Sequence, residues 1–185
     1  MHVIPYVLSV LGLLCMITSS LLKGEKMKSI LFLVFCGNFL VATSYLLDGQ
    51  GINGAATCYL GGVQSIINYF YAAKDKALPK WLLAIYAISY TGVNIWVAGG
   101  VTALGVLIIV ASLTFIMCIG QSNGAKYRFW TIINMVLWCT YDIAAPAYPS
   151  LISHVALLLF TVIGMMIYDR KQESACRAPK KAMEE

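Results

Sequence analysis

The hydrophobic positions of this chain fall into seven long blocks separated by short polar or glycine breaks. The blocks cover residues 2–22, 29–47, 54–73, 81–98, 101–120, 127–145 and 149–168. Each approaches the ~20 mostly apolar residues that a helix needs to cross a hydrocarbon layer. The breaks are Lys23–Lys28, Asp48–Asn53, Lys74–Lys80, Gly99-Gly100, Gln121–Lys126 and Pro146–Tyr148. Gly99-Gly100 is the slightest of these, so blocks four and five are the least firmly divided. A polar tail, Asp169–Glu185, follows block seven and is expected to be mobile. No Lys or Arg precedes the first block, which is longer than the ~7–15-residue apolar core of a secretory signal, so it reads as a retained helix.

Charge sharpens this pattern. Only 11% of the 185 residues are charged and 60% are hydrophobic, against about 25% charged in a soluble domain. The 13 basic residues are Lys23, Lys26 and Lys28, Lys74, Lys76 and Lys80, Lys126 and Arg128, and Arg170, Lys171, Arg177, Lys180 and Lys181. With seven spans, all of them lie on one side. The positive-inside rule makes that side cytoplasmic, with the N-terminus outside and the C-terminus inside. One span more or fewer would scatter the charges over both faces. The net charge of +5 is thus a topology signal that needs no nucleic acid partner, and a lipid bilayer is the expected surrounding.

Polar side chains inside the blocks are the candidates for function. Asn134, Trp138 and Tyr141 sit at i, i+4 and i+7, on one stripe of a helix. Asn38 and Tyr45 repeat the same spacing 96 positions earlier, and Ser44 matches Thr140. Block two therefore aligns with block six, and block three with block seven. The pattern predicts two parallel three-helix units joined by a linker helix: residues 1–73, a linker at 74–100, a second unit at 101–168 and a basic tail at 169–185. Parallel repeats of this kind are related by an axis along the membrane normal.

The 3+1+3 arrangement, the short loops, and the runs Tyr45-Leu-Leu-Asp-Gly to Tyr71 and Trp138-Cys-Thr-Tyr-Asp-Ile to Tyr168 resemble the PQ-loop superfamily. That group includes the SWEET sugar facilitators and the PnuC vitamin transporters, and the nearest likeness is to the YgjV-type bacterial inner-membrane proteins. The resemblance covers residues 5–170. It implies a SWEET-like all-α membrane protein with a solute route between two bundles that open alternately. The chain departs from the family at three points. It has no PQ dipeptide, its first proline lies at the edge of block one, and block five has no proline to act as a pivot. Gly12 and Gly105 offer softness there, or simply close packing.

The expected lining of the route is Asn38, Gln64, Asn68, Asn134, Trp138, Tyr45 and Tyr141. Gln64 and Asn68 share a helix face at i, i+4, with Gly61 one turn earlier. Each has a plainer alternative: the amides as interhelical fasteners, Trp138 as packing, the tyrosines as interfacial belt residues like Trp81 and Trp96. Asp142 and His154 flank the last hairpin and are candidates for proton coupling, since ionisable groups in spans are costly and His titrates readily. No buried Lys or Arg is expected to hold an anion, so the solute is read as small, polar and uncharged.

Cys15, Cys36, Cys58, Cys118 and Cys139 lie in apolar blocks without metal-ligand spacing. GxSxG, Walker A, GxGxxG after a strand and HExxH are absent. The expectation is therefore no enzyme, no metal and no cofactor. The alternative to transport is a membrane scaffold or receptor that binds lipid or protein, and a second copy of the chain stays open as a partner.

Overall fold

The computed structural model describes residues 3–48, 52–97, 102–144 and 148–181. Among these the chain is all-α, with seven α-helices, one 3₁₀ turn and no strand. The helices are α1 (Val3–Leu21), α2 (Met27–Asp48), α3 (Ile52–Ala73), α4 (Lys80–Val97), α5 (Ala103–Ile119), α6 (Gly124–Ala144) and α7 (Tyr148–Lys181). The Gly99-Gly100 break lies outside the described residues.

Local chemistry sets several boundaries. Thr102 caps α5, its hydroxyl accepting from the Gly105 amide at 3.0 Å, and Gly120 closes the other end. Asn123 receives the Ala125 amide at 2.8 Å and opens α6 three residues earlier than the hydrophobic pattern suggests. This is an N-cap of the ordinary polar kind. Asp75 turns the chain out of α3 at φ 51°, a left-handed conformation that Asp tolerates.

The length of the last helix is the main difference. α7 does not stop at residue 168 but continues as helix to Lys181. Its polar end contains good helix formers, and nothing there interrupts the backbone ladder until Pro179.

Each helix packs on the next, and α7 returns to pack on α1, so the seven close into a ring. Near the Lys-rich end, Met27, Ile30, Leu31 and Val34 of α2 meet Cys118 and Ile119 of α5 and Tyr127 of α6. A second cluster joins Leu82, Tyr86 and Tyr90 of α4 to Ile116 of α5. The α1–α7 seam depends on a missing side chain: a Cβ at Gly164 would lie 2.4 Å from the Ser20 carbonyl oxygen. Thr161 donates to the Ser20 hydroxyl at 3.0 Å in the same seam. Gly12 likewise lies where a Cβ would meet Val41 and the Gly37 carbonyl of α2, so close packing accounts for it.

The distribution of polarity is inverted relative to a water-soluble protein. Asn38, Gln64, Asn68, Asn94, Asn134, Arg128 and Asp142 are buried, together with Ser19, Ser20, Ser112 and Thr161. Outward-facing positions are apolar, including Val3, Leu47, Val63, Phe70, Ile88, Trp96, Ile152 and Leu159. A soluble monomer rarely shows contiguous apolar patches above a few hundred Å². Among the described residues three stretches are long and apolar enough to cross a membrane: Val3–Leu21, Met27–Leu47 and Ser150–Asp169. Ala103–Ile119 is apolar but shorter. The helices and their surface fit a membrane protein.

Candidate functional site

The expected site residues divide between two regions. The first lies where the C-terminal ends of α2 and α6 meet the start of α7. Asp142 is buried, and its Oδ2 is 2.6 Å from His154 Nδ1. An ionised carboxylate only accepts, so in that state Nδ1 carries the hydrogen and donates it to Asp142. His154 is partly exposed, and Ser150 Oγ lies 3.5 Å from the same Nδ1.

Trp138 stacks on His154, with ring centroids 5.5 Å apart at 24°. Tyr141 meets the indole edge-on at 5.7 Å. Tyr45, from α2, lies near Ser150, Asp142 and Tyr141. Gly54 of α3 leaves room for its ring, since a Cβ there would lie 3.1 Å from it. Tyr45, Trp138, Tyr141, Asp142 and His154 thus come together, drawn from both halves of the chain. The face of Trp138 that was free to hold a ring in the sequence reading is against the imidazole.

The amides do not gather in this way. Asn134 donates to the Ala111 carbonyl at 2.6 Å and to Thr114 Oγ1 at 2.9 Å, fastening α6 to α5. Asn68 donates to the Ile119 carbonyl at 2.9 Å and accepts from Tyr86 at 3.2 Å, which ties α3 to α5 and α4. Asn38 donates to Val34 of its own helix at 2.9 Å. The 96-residue partners therefore have different surroundings. Ser44 reaches Ser9 and the Pro5 carbonyl, whereas Thr140 bonds only its own helix at Val136.

Gln64 differs from the other three amides. It is buried, yet neither its Oε1 nor its Nε2 has a partner, and the same holds for the Tyr90 hydroxyl. Both residues line a cavity of about 170 Å³ between α3 and α4. Its other walls include Leu60, Val63, Ile67, Leu82, Ile85, Tyr86 and Ser89. Gly61 lies close by in α3, where a Cβ would meet Asn38 Oδ1 at 3.1 Å, the Phe115 ring at 3.1 Å and the Tyr90 hydroxyl at 3.2 Å. Buried polar groups are almost always paired in folded proteins, so these three unpaired atoms mark unused hydrogen-bonding capacity.

One expectation from sequence is corrected. A basic residue is buried after all: Arg128 is 1% exposed, the largest fully buried side chain among the described residues. Its Nε donates to Asp169 Oδ2 at 3.0 Å, its second guanidinium nitrogen pairs with Oδ1, and Nη1 reaches the Leu22 carbonyl at 2.8 Å. The Tyr168 ring lies 5.7 Å from its Cζ. The early start of α6 places Arg128 a full turn into the helix, and the continuation of α7 holds Asp169 opposite it. Asp142–His154 is therefore not the only ionisable pair among the helices. An Arg four residues past an Asn-Gly helix start was the available signal. For Tyr90 there was none, because a tyrosine in an apolar block reads equally well as packing.

No family model, characterised protein or solved structure matches this chain.

Proposed function

We propose that the chain is a seven-span membrane protein, N-terminus outside and C-terminus cytoplasmic, that carries a small, polar, uncharged solute across a bacterial inner membrane. The resemblance to the PQ-loop superfamily and the one-sided basic residues motivate the topology and the location. The observation that carries the transport reading is the unpaired Gln64 amide and Tyr90 hydroxyl inside an apolar-surfaced helix ring. Helix fastening uses Asn68 and Asn134 but leaves these groups unspent. Among the described residues the one buried guanidinium is already occupied by Asp169, so their interior offers an anionic solute no free counter-charge.

Proteoliposome uptake tests this. A panel of neutral sugars, nucleosides and vitamin-like compounds should include at least one that accumulates, with uptake falling tenfold or more in Gln64→Leu and unchanged in Trp81→Phe. Trp81 is 60% exposed and serves as the control. Absence of flux for every compound in folded wild-type protein rejects the reading.

A second reading is a membrane scaffold or receptor. The use of Asn68 and Asn134 as helix ties favours it. It predicts no flux, together with retention of a lipid or protein partner by detergent-purified protein.

A further inference from the structure

We infer that the Lys-rich end of α3 holds the headgroup of one anionic phospholipid, with an acyl chain of the same molecule lying along the cavity between α3 and α4. The inference rests on placement in a bilayer and not on transport.

The headgroup pocket is made by the way α3 ends. Asp75 turns at φ 51°. Its amide donates to the Ala72 carbonyl at 3.2 Å, and the Lys76 amide donates to the Tyr71 carbonyl at 3.0 Å. This pair of bonds is a Schellman turn. It folds Lys76 back onto the last helical turn, where Lys74 already lies four residues beyond Phe70. Phe70, Tyr71, Lys74 and Lys76 together line a pocket of about 240 Å³. The Asp75 carboxylate pairs with Lys28 of α2 at 3.5 Å. Among the described residues Lys74 and Lys76 have no acidic partner. Two free ammonium groups beside aromatic rings match a lipid phosphodiester, which carries one negative charge next to ester carbon. Basic pockets at a membrane surface take anionic headgroups for this reason.

What adjoins the pocket selects a lipid over a free anion. Tyr71 packs against the cluster of Leu82, Tyr86 and Tyr90. Leu82 is also a wall of the cavity of about 170 Å³, with Leu60, Val63, Ile67 and Ile85. Pocket and cavity therefore follow one another along α3. The polar atoms of Gln64 and the Tyr90 hydroxyl are covered and present nothing to a chain lying there. Val63 and Ile85 are 53% and 48% exposed, so the cavity opens on the apolar outer surface of the ring. Val63, Phe70 and Lys74, at i, i+7 and i+11, fall on a single stripe of the helix. From Leu60 to Tyr71 the helix rises about 17 Å at 1.5 Å per residue. Half of a ~30 Å hydrocarbon core is about 15 Å, the depth one acyl chain occupies in its leaflet. A free phosphate would use the two lysines and leave this apolar path empty.

Native mass spectrometry of the full chain, titrated in detergent with palmitoyl-oleoyl phosphatidylglycerol or phosphatidylcholine, tests the inference. The first phosphatidylglycerol should bind at least tenfold more tightly than the first phosphatidylcholine. Lys74→Gln/Lys76→Gln should weaken phosphatidylglycerol at least tenfold. Lys23→Gln/Lys126→Gln removes the same charge from exposed residues that do not line the pocket, and should change it less than twofold. Val63→Trp, which covers the mouth of the cavity, should weaken both lipids at least threefold. If Val63→Trp does not fold, the chain-free headgroup glycerophosphoglycerol on wild-type protein decides the same point: at hundredfold excess it should not displace the lipid. Equal losses in the two double-lysine variants overturn the inference, since the attraction would then belong to the whole basic face. So does displacement by glycerophosphoglycerol or by inorganic phosphate, which would make the site one for a free anion. Lipid binding is read without flux, so its failure removes this inference alone, and failure of uptake removes only the transport reading.

Discussion

Replacing Asp169 by Asn tests how the cytoplasmic end of the ring is held. The substitution keeps size and one oxygen acceptor but removes the charge opposite Arg128. Arg128 then retains the Leu22 carbonyl and the face of Tyr168, and loses two charge-assisted bonds. Leaving one member of a buried pair uncompensated costs about 3–5 kcal/mol. The side-chain exposure of Asp169 is 13% against 1% for Arg128, so water partly reaches the carboxylate and the lower end, about 3 kcal/mol, is expected. For a chain of about this length 1 kcal/mol shifts the melting temperature by about 2–4 °C, which gives a fall of about 6–12 °C. Thermal unfolding of detergent-solubilised protein, followed by intrinsic fluorescence, measures it. The paired variant Arg128→Met/Asp169→Leu should recover to within about 1 kcal/mol of wild type, because an apolar pair carries no stranded charge. A fall of less than about 2 °C in Asp169→Asn, or a double variant as unstable as the single, refutes the reasoning.

Four further outcomes are expected. Gly164→Ala should destabilise by about 2 kcal/mol or more, since its Cβ meets the Ser20 backbone oxygen at 2.4 Å, an overpacking that neither helix relieves locally. Gly92→Ala, with nothing within 4 Å, should stabilise by about 0.5–1 kcal/mol through helix propensity, and thermal unfolding separates the two. Asn134→Ala should lower stability by about 1 kcal/mol, two interhelical bonds at about 0.6 kcal/mol each, whereas Asn38→Ala, which loses only a bond to its own helix, should lose less; equal losses in denaturant titrations would count against this assignment. If uptake is proton-linked, Asp142→Asn should make the flux insensitive to external pH. The groups that face Asp142 are Tyr45 of α2, Cys139 and Tyr141 of α6, and His154 of α7, so an unchanged pH profile in this variant removes coupling at the site.

Element number and type were legible because apolar block length is a strong and local signal. Six of the seven helices begin and end close to the blocks that predict them, and α7 overruns its block to Lys181. The meeting of Asp142 with His154 was legible too, since the two flank a short hairpin at similar depth. The fates of the amides were not. Asn38 and Asn134 are alike in sequence spacing, yet one bonds Val34 in its own helix and the other bonds α5, because an amide's partner is chosen by the neighbouring helix. The Arg128–Asp169 pair was hidden for a different reason. It joins positions 41 apart, and it exists only because α6 starts early at Asn123 and α7 runs on past residue 168, both set by capping and propensity rather than by hydrophobicity.

The capped ends of α5 have a consequence for the surrounding lipid. Thr102 and Gly120 fix that helix at 17 residues, which at 1.5 Å per residue is about 26 Å. An average bilayer has a hydrocarbon core of about 30 Å. If α5 spans, the lipid beside it must thin by about 4 Å or the helix ends must sink into the acyl region. α2, with 22 residues, reaches about 33 Å and imposes no such demand. The molecule would then deform its bilayer on one flank only, and would be held most comfortably in a thin membrane, where mismatch costs fractions of a kcal/mol per Å less.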